Sequence, residues 1–189
     1  MADHAGTSIA VLMTCHDRRD ATVACLESLD AAAMAASVRE RVRLFAVDDG
    51  SSDGTGDAIA ATWPGAVVVR GSGDLFWAGG MALAERTALA DESEGSLTHL
   101  LWLNDDVLLS NDAMSTLLGE AAAAPGDVVV GALDDGGGNP VPTYSGIRLN
   151  GGWHPLRFER VSPGDSPIEV DAMNGNLVLV PIALARKVG

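Results

Sequence analysis

The chain has 189 residues, 47% of them apolar, which suits one domain with a continuous core. Its 12 Lys and Arg face 26 Asp and Glu, a net charge of −14, so the surface field repels nucleic acid and anionic membrane and no nucleic-acid partner is expected. A small anionic ligand remains compatible with that charge, because a divalent ion bound at a carboxylate site reverses the local sign.

The opening residues Met1-Ala2-Asp3-His4-Ala5-Gly6 have neither the basic start nor the apolar stretch of a signal peptide, and no apolar run approaches membrane-spanning length. The expectation is a cytoplasmic protein with no transmembrane segment. Ile9 to Met13 is a short apolar run that reads as a buried strand, followed by a polar loop from Thr14 to Asp20. Val23, Leu26 and Leu29 then share one face of a helix. Cys15 and Cys25, on the strand end and this helix, read as reduced thiols rather than a disulfide framework.

Val42 to Val47 is the second strand, residues 55 to 62 a short helix, and Trp63-Pro64-Gly65 its stop. Ala66 to Val69 is a third strand, Ala82 to Ala90 a helix, and His99 to Leu103 a fourth strand. Asn111 is placed to cap a helix carrying Met114, Leu117 and Leu118, which Pro125-Gly126 ends before a strand at Val128 to Ala132. Beyond the loop Asp134 to Pro142, strand-like segments at Tyr144 to Leu149, Glu169 to Met173 and Leu177 to Val180 surround a hairpin turn at Asn150-Gly151. Alternating strands and helices predict an α/β fold, a Rossmann-like mixed sheet with helices on both faces, mainly parallel in its N-terminal half and antiparallel at its C-terminal edge. One domain is expected over residues 1–189.

Two acidic clusters, Asp48-Asp49 and Asp105-Asp106, each close an apolar run. Adjacent carboxylates repel and lose hydration at a sheet edge, so a pair of such clusters points to a cation or a polar ligand. Ligands of open α/β sheets lie beyond the carboxyl ends of the strands, which brings both clusters to one crevice. The stretch Gly71 to Gly80 follows a strand and precedes a helix, as a dinucleotide fingerprint would, but Phe76 stands where the third glycine is required. Its glycines can still offer backbone N–H groups to a phosphate, and Phe76-Trp77 reads as core. Asp49 to Gly54 opens like a calcium loop, yet Ala60 holds the position of the bidentate Glu. Asp53 or Thr55 reads instead as a helix cap. His99 reads as a satisfied strand histidine, whereas His16 lies on the same rim as the acidic clusters, where its flat ring suits a nucleobase.

These segments resemble the family-2 glycosyltransferases with a GT-A fold. Thr14-Cys15-His16-Asp17-Arg18, Val47 to Thr55, Asn104-Asp105-Asp106 and Asn174-Gly175-Asn176 carry the likeness in that order, and Gly73 to Gly80 is similar to a donor-side segment of rhamnosyltransferase-like members. The resemblance implies an inverting, metal-dependent, hexosyltransferase-like enzyme. It would move a sugar from a nucleotide-diphospho-sugar, thymidine or uridine type, to a glycan or lipid-linked acceptor hydroxyl. Residues 8–110 would then bind the nucleotide and 111–189 form a partial acceptor part. Thr14, His16, Arg18, Asp48, Asp49, Gly73, Asp74, Gly79 and Asp105 would line the nucleotide, with Asp49 the preferred contact to the pyrimidine edge and Asp105 on the ribose or a metal-bound water. Asp106 would hold Mg2+ or Mn2+, and Asn174, Gly175 and Asn176 would face the sugar or acceptor. The family's general base is expected beyond Gly189, leaving Asp171 as the nearest carboxylate within the chain. A non-catalytic nucleotide-sugar-binding module and a dinucleotide-dependent oxidoreductase are the competing readings.

Overall fold

In the computed structural model, residues 6–91, 97–137, 141–149, 157–164 and 166–188 are described. Strand β1 (Ile9–Cys15) is buried along nearly its whole length, as a central parallel strand must be when helices cover both faces of its sheet. It pairs in parallel with β2 (Val42–Asp48) on one side and β4 (His99–Leu103) on the other, and β3 (Val67–Arg70) extends the sheet beyond β2. Two strands from the second half, β9 (Leu177–Pro181) and the two-residue β5 (Val129–Val130), complete the order β3-β2-β1-β4-β9-β5. β9 runs antiparallel to both β4 and β5, so the expected mixed sheet is present, with its antiparallel strand inside the sheet rather than at the rim. A second sheet of β7 (Phe158–Arg160), β6 (Gly146–Leu149) and β8 (Ala172–Met173) is wholly antiparallel.

The pleat sorts the apolar residues onto two faces. Ile9, Val11, Met13, Leu44, Leu101 and Leu179 pack with helices α1 (Arg19–Ala35), α2 (Thr55–Thr62) and α4 (Ala113–Ala123). Ala10, Leu12, Phe45, Leu100 and Val178 pack with α3 (Phe76–Ala90) and α5 (Ile182–Val188). Fully burying a side chain such as Leu12 or Phe45 contributes about 2 kcal/mol, and the two layers together hold the strands in register.

Several boundaries differ from the sequence expectation. Helix α3 starts at Phe76 rather than Ala82, taking Gly79 and Gly80 into its first turns. Glycine disfavours a helix interior, but a Cβ at Gly80 would lie 2.0 Å from the Thr14 hydroxyl, so close packing of α3 on β1 outweighs propensity. The cap of α4 falls on Asp112, not Asn111, without a side-chain cap bond; the Ser110 hydroxyl donates to Asp112 at 2.6 Å instead. Strand β7 and helix α5 carry no sequence signal used above. The Asn150-Gly151 turn lies outside the described residues.

Cys15 and Cys25 are free and buried, and burial pushes each thiol up to about 12. Thiolate is the reactive form. Both cysteines should therefore resist iodoacetamide at pH 8 in the native protein and react once it is unfolded in urea. Rapid alkylation of folded protein would contradict the burial.

Candidate functional site: a crevice at the switch point of the sheet

The order β3-β2-β1-β4 reverses direction at β1, so the loops following β1 and β4 border the crevice where open α/β sheets receive ligands. The loops after β1 and β2 are stitched together by the polar residues of the Asp48–Thr55 segment. Asp17 N–H donates to the Ser51 hydroxyl at 3.0 Å, and Ser52 N–H donates to Asp17 Oδ1 at 2.7 Å. Arg19 N–H donates to Asp53 Oδ2 at 3.0 Å, while Asp53 Oδ1 accepts from Thr55 N–H at 2.9 Å. Asp53 thus braces the starts of both α1 and α2, although the N-cap of α2 is Gly54 rather than the expected Asp53 or Thr55. Asp48 is buried and accepts from Ser51 N–H at 3.0 Å, closing its own turn.

Asp49 holds the opposite wall. Its carboxylate, on a residue only 5% exposed, accepts the N–H groups of Gly73 at 2.7 Å, Leu75 at 2.9 Å and Phe76 at 3.1 Å. The last two open α3, where a negative charge meets the positive end of the helix dipole. Gly73, at φ +96, supplies the left-handed turn that aims its N–H at Asp49, and a Cβ on Gly50 would meet Gly73 Cα at 2.9 Å. Sequence reasoning makes Asp49 the preferred base contact. In the structure three of the carboxylate's roughly four acceptor sites already serve the backbone.

His16 sits on the rim, with Nδ1 2.6 Å from the Asp49 carbonyl. A carbonyl only accepts, so Nδ1 carries the proton in this contact. Thr14 is half-buried against Gly80. Asp74 is exposed and accepts from the Ser72 hydroxyl, and Gly79 lies in the first turn of α3 with its N–H donating to Leu75 O at 3.1 Å.

Across the crevice Arg18 Nη1 donates to Asp106 Oδ2 at 2.6 Å and stands 3.6 Å from Asp105 Oδ1. The Asp106 side chain is 47% exposed, whereas Asp105 is buried. Burial pushes the Asp105 carboxyl up to about 6; Arg18 pulls it down and Asp106 pushes it further up. Arg18 is held by its backbone, through N–H to the Thr55 hydroxyl at 3.3 Å and a carbonyl accepting Thr22 N–H at 2.9 Å. Its half-exposed side chain projects into the crevice mouth with the acidic pair.

The structure adds residues that the sequence reading left out. Phe76 and Trp77 are not core: they are 80% and 43% exposed. Trp77 Nε1–H donates to Asn104 Oδ1 at 2.8 Å, its ring lies edge-to-face on Trp102 at 6.3 Å, and Asn104 N–H donates to Asn176 O at 3.0 Å. The Asn174–Asn176 segment therefore joins the same crevice. Asp171 has a local role: its Oδ2 accepts Leu149 N–H at 2.9 Å on the edge of the small sheet.

The sequence from residue 10 to 177 matches the family model for glycosyl transferase family 2. The chain belongs to that family. No curated protein matches it. Among solved structures, the family-2 chain resembles the mannosyltransferase PcManGT from Pyrobaculum calidifontis, in complex with GDP-Man and Mn2+, at 19% identity and a TM-score of 0.52. That match covers 66% of this chain and 35% of the other. M. tuberculosis glucosyl-3-phosphoglycerate synthase is similar at 20% identity and a TM-score of 0.45, covering 66% of this chain and 44% of that one. The family-2 chain thus spans less than half the length of either protein. At these identities the PcManGT likeness shows the GT-A fold. No helix among the described residues is long and apolar enough to cross a membrane.

Within this family-2 site, Asp49→Ala strips three N–H groups of a charged acceptor. It should cost about 3 kcal/mol of folding stability in urea denaturation, and Asp49→Asn less, because one acceptor oxygen remains. Unchanged stability in Asp49→Ala would reject the latch.

Proposed function

We propose that the chain is the donor-binding part of an inverting, metal-dependent glycosyltransferase that takes a nucleotide-diphospho-sugar, of uridine or thymidine type, and passes the sugar to an acceptor hydroxyl. The observation that carries this reading is the convergence of Arg18, Asp105 and Asp106 at the switch point, opposite the wall that Asp49 holds. The likeness of Gly73 to Gly80 to rhamnosyltransferase-like members supports a related sugar.

The donor set fits a hard cation. Asp105 and Asp106 offer carboxylate oxygens, the ligands preferred by Mg2+ and Mn2+. Among the described residues no group of three or more His, Cys, Asp or Glu could hold a metal. A cation at Asp106 would therefore share its shell with a diphosphate, as Mg2+ commonly does. When bound, it would neutralise the charge that develops on the leaving nucleoside diphosphate. PcManGT, solved with GDP-Man and Mn2+, is compatible with that chemistry.

The chain's own residues would divide the remaining work. Thr14 and His16 border the base, and Asp48 and Asp49 shape its pocket through the loops they hold. The one acceptor site left on Asp49 suits a pyrimidine N3–H. Asp105 meets the ribose. Arg18, tied to Asp106 in the free protein, has the diphosphate as its alternative partner, and a guanidinium fork suits phosphate geometry. Gly73, Asp74 and Gly79 line the donor-side loop, and Asn174 to Asn176 face the sugar or acceptor.

Calorimetry with uridine, thymidine and guanosine diphospho-sugars, in Mn2+ and in chelator, tests the reading. Mn2+ should raise affinity for the pyrimidine donors, and Asp106→Asn should remove most of that gain without changing the fold. Equal affinity in Mn2+ and chelator would reject the metal role.

Arg18→Gln gives a separate prediction. Loss of a charge-assisted contact should weaken diphosphate binding in Mn2+ by about tenfold, read in the same titration. Binding as tight as in the parent chain would remove Arg18 from the donor site.

A further inference from the structure

Trp77 is the point at which three separated stretches of chain meet. Its backbone belongs to the first turn of α3, which is anchored at two places: Asp49 accepts the N–H groups of Leu75 and Phe76, and Gly80 lies directly on Thr14. From that fixed base the indole reaches across the crevice. Nε1–H donates to Asn104 Oδ1 at 2.8 Å, in the turn that carries Asp105 and Asp106. The edge of its six-membered ring abuts Gly175 so closely that an added Cβ would lie 2.5 Å from Cη2 and 2.6 Å from Cζ2. Asn104 N–H closes the triangle by donating to Asn176 O at 3.0 Å, and Trp102 supports the indole edge-to-face.

A tryptophan residue left 43% exposed is a poor choice for core packing. The indole's single donor, however, has a defined acceptor, and the edge of its six-membered ring abuts a residue without a side chain. We infer that Trp77 is a positioning residue: it fixes the Asn104-Asp105-Asp106 turn against the Asn174-Gly175-Asn176 segment, so the metal-binding carboxylate and the sugar or acceptor side keep one geometry. This function of the clamp rests on the donor-binding reading, whereas the clamp's mechanical part does not.

Two variants separate these parts. Trp77→Phe keeps an aromatic ring and loses the donor; Gly175→Ala keeps the donor and pushes on the ring. In each variant of the 189-residue chain, amide hydrogen exchange should accelerate by about fivefold or more at 103–107 and 174–177, as expected for loss of one hydrogen-bonded contact, while β1 and β2 exchange as before. In calorimetry with uridine diphosphate, the gain conferred by Mn2+ should fall about fivefold while metal-free affinity holds. A purely structural role would lower both affinities and speed exchange throughout the sheet. The double variant should lose little more than the worse single one, because both act on one contact.

Unchanged exchange at 103–107 and 174–177 in both variants would overturn the inference. Faster exchange with an undiminished Mn2+ gain would overturn the positioning of the metal-binding turn. If the parent chain binds uridine diphosphate with no Mn2+ gain, the metal role falls with the functional part of the clamp; if it does not bind at all, the donor-binding reading falls too, and in both cases the exchange data still decide the mechanical part.

Discussion

The carboxylate of Asp49 is the constraint on which the crevice depends. A loop between a strand and a helix has N–H groups with no partner of their own, and leaving them buried and unpaired is costly. Asp49 gathers three of them, from Gly73, Leu75 and Phe76, and so fixes where α3 begins. It comes from the end of β2, the best-buried neighbour of β1, so the helix start inherits the rigidity of the sheet. Trp77, one residue further along, then has one place to be.

The polar residues from Asp48 to Thr55 make the crevice chiefly by holding its walls. Ser51, Ser52, Asp53 and Thr55 all bond to the loop after β1, and Asp48 bonds within its own turn. Such charge-assisted and side chain to backbone bonds leave the loops little freedom to reorganise. Among the exposed charged groups at the mouth, Arg18 and Asp106 already form an ion pair. An exposed pair of this kind contributes little to stability, so exchanging one partner for a ligand costs little.

Much of this was legible in the sequence because the responsible pattern is local. Apolar runs ending in Asp48-Asp49 and Asp105-Asp106 placed two strands and their carboxyl ends, and the helical spacing of Leu26 and Leu29 placed α1. What escaped depends on distant partners. Gly79 and Gly80 look like a loop until Thr14 is known to lie beneath Gly80. Phe76-Trp77 looks like core until Asp49 turns the backbone, holding Phe76 at φ +54 with its ring outward. The roles of Asn104 and Gly175 follow only from the indole between them, and the one available hint was that an Asn precedes the paired aspartates. Exposed β7, three residues long, is too short to carry a period, whereas β5 lies inside the strand expected at Val128 to Ala132 and is shorter than it.

Insertion of β9 between β4 and β5 has a consequence for the order of assembly. The contacts of β1, β2, β3 and β4 are all available within the first 103 residues, whereas β4 finds its second neighbour only at Leu177–Pro181. Closing so long a loop is slow relative to local pairing. During folding, β4 therefore presents a free apolar edge, the kind that recruits foreign strands. Asn176 reaches Asn104 through the same late step, so the far wall of the crevice is completed only when that edge is sealed.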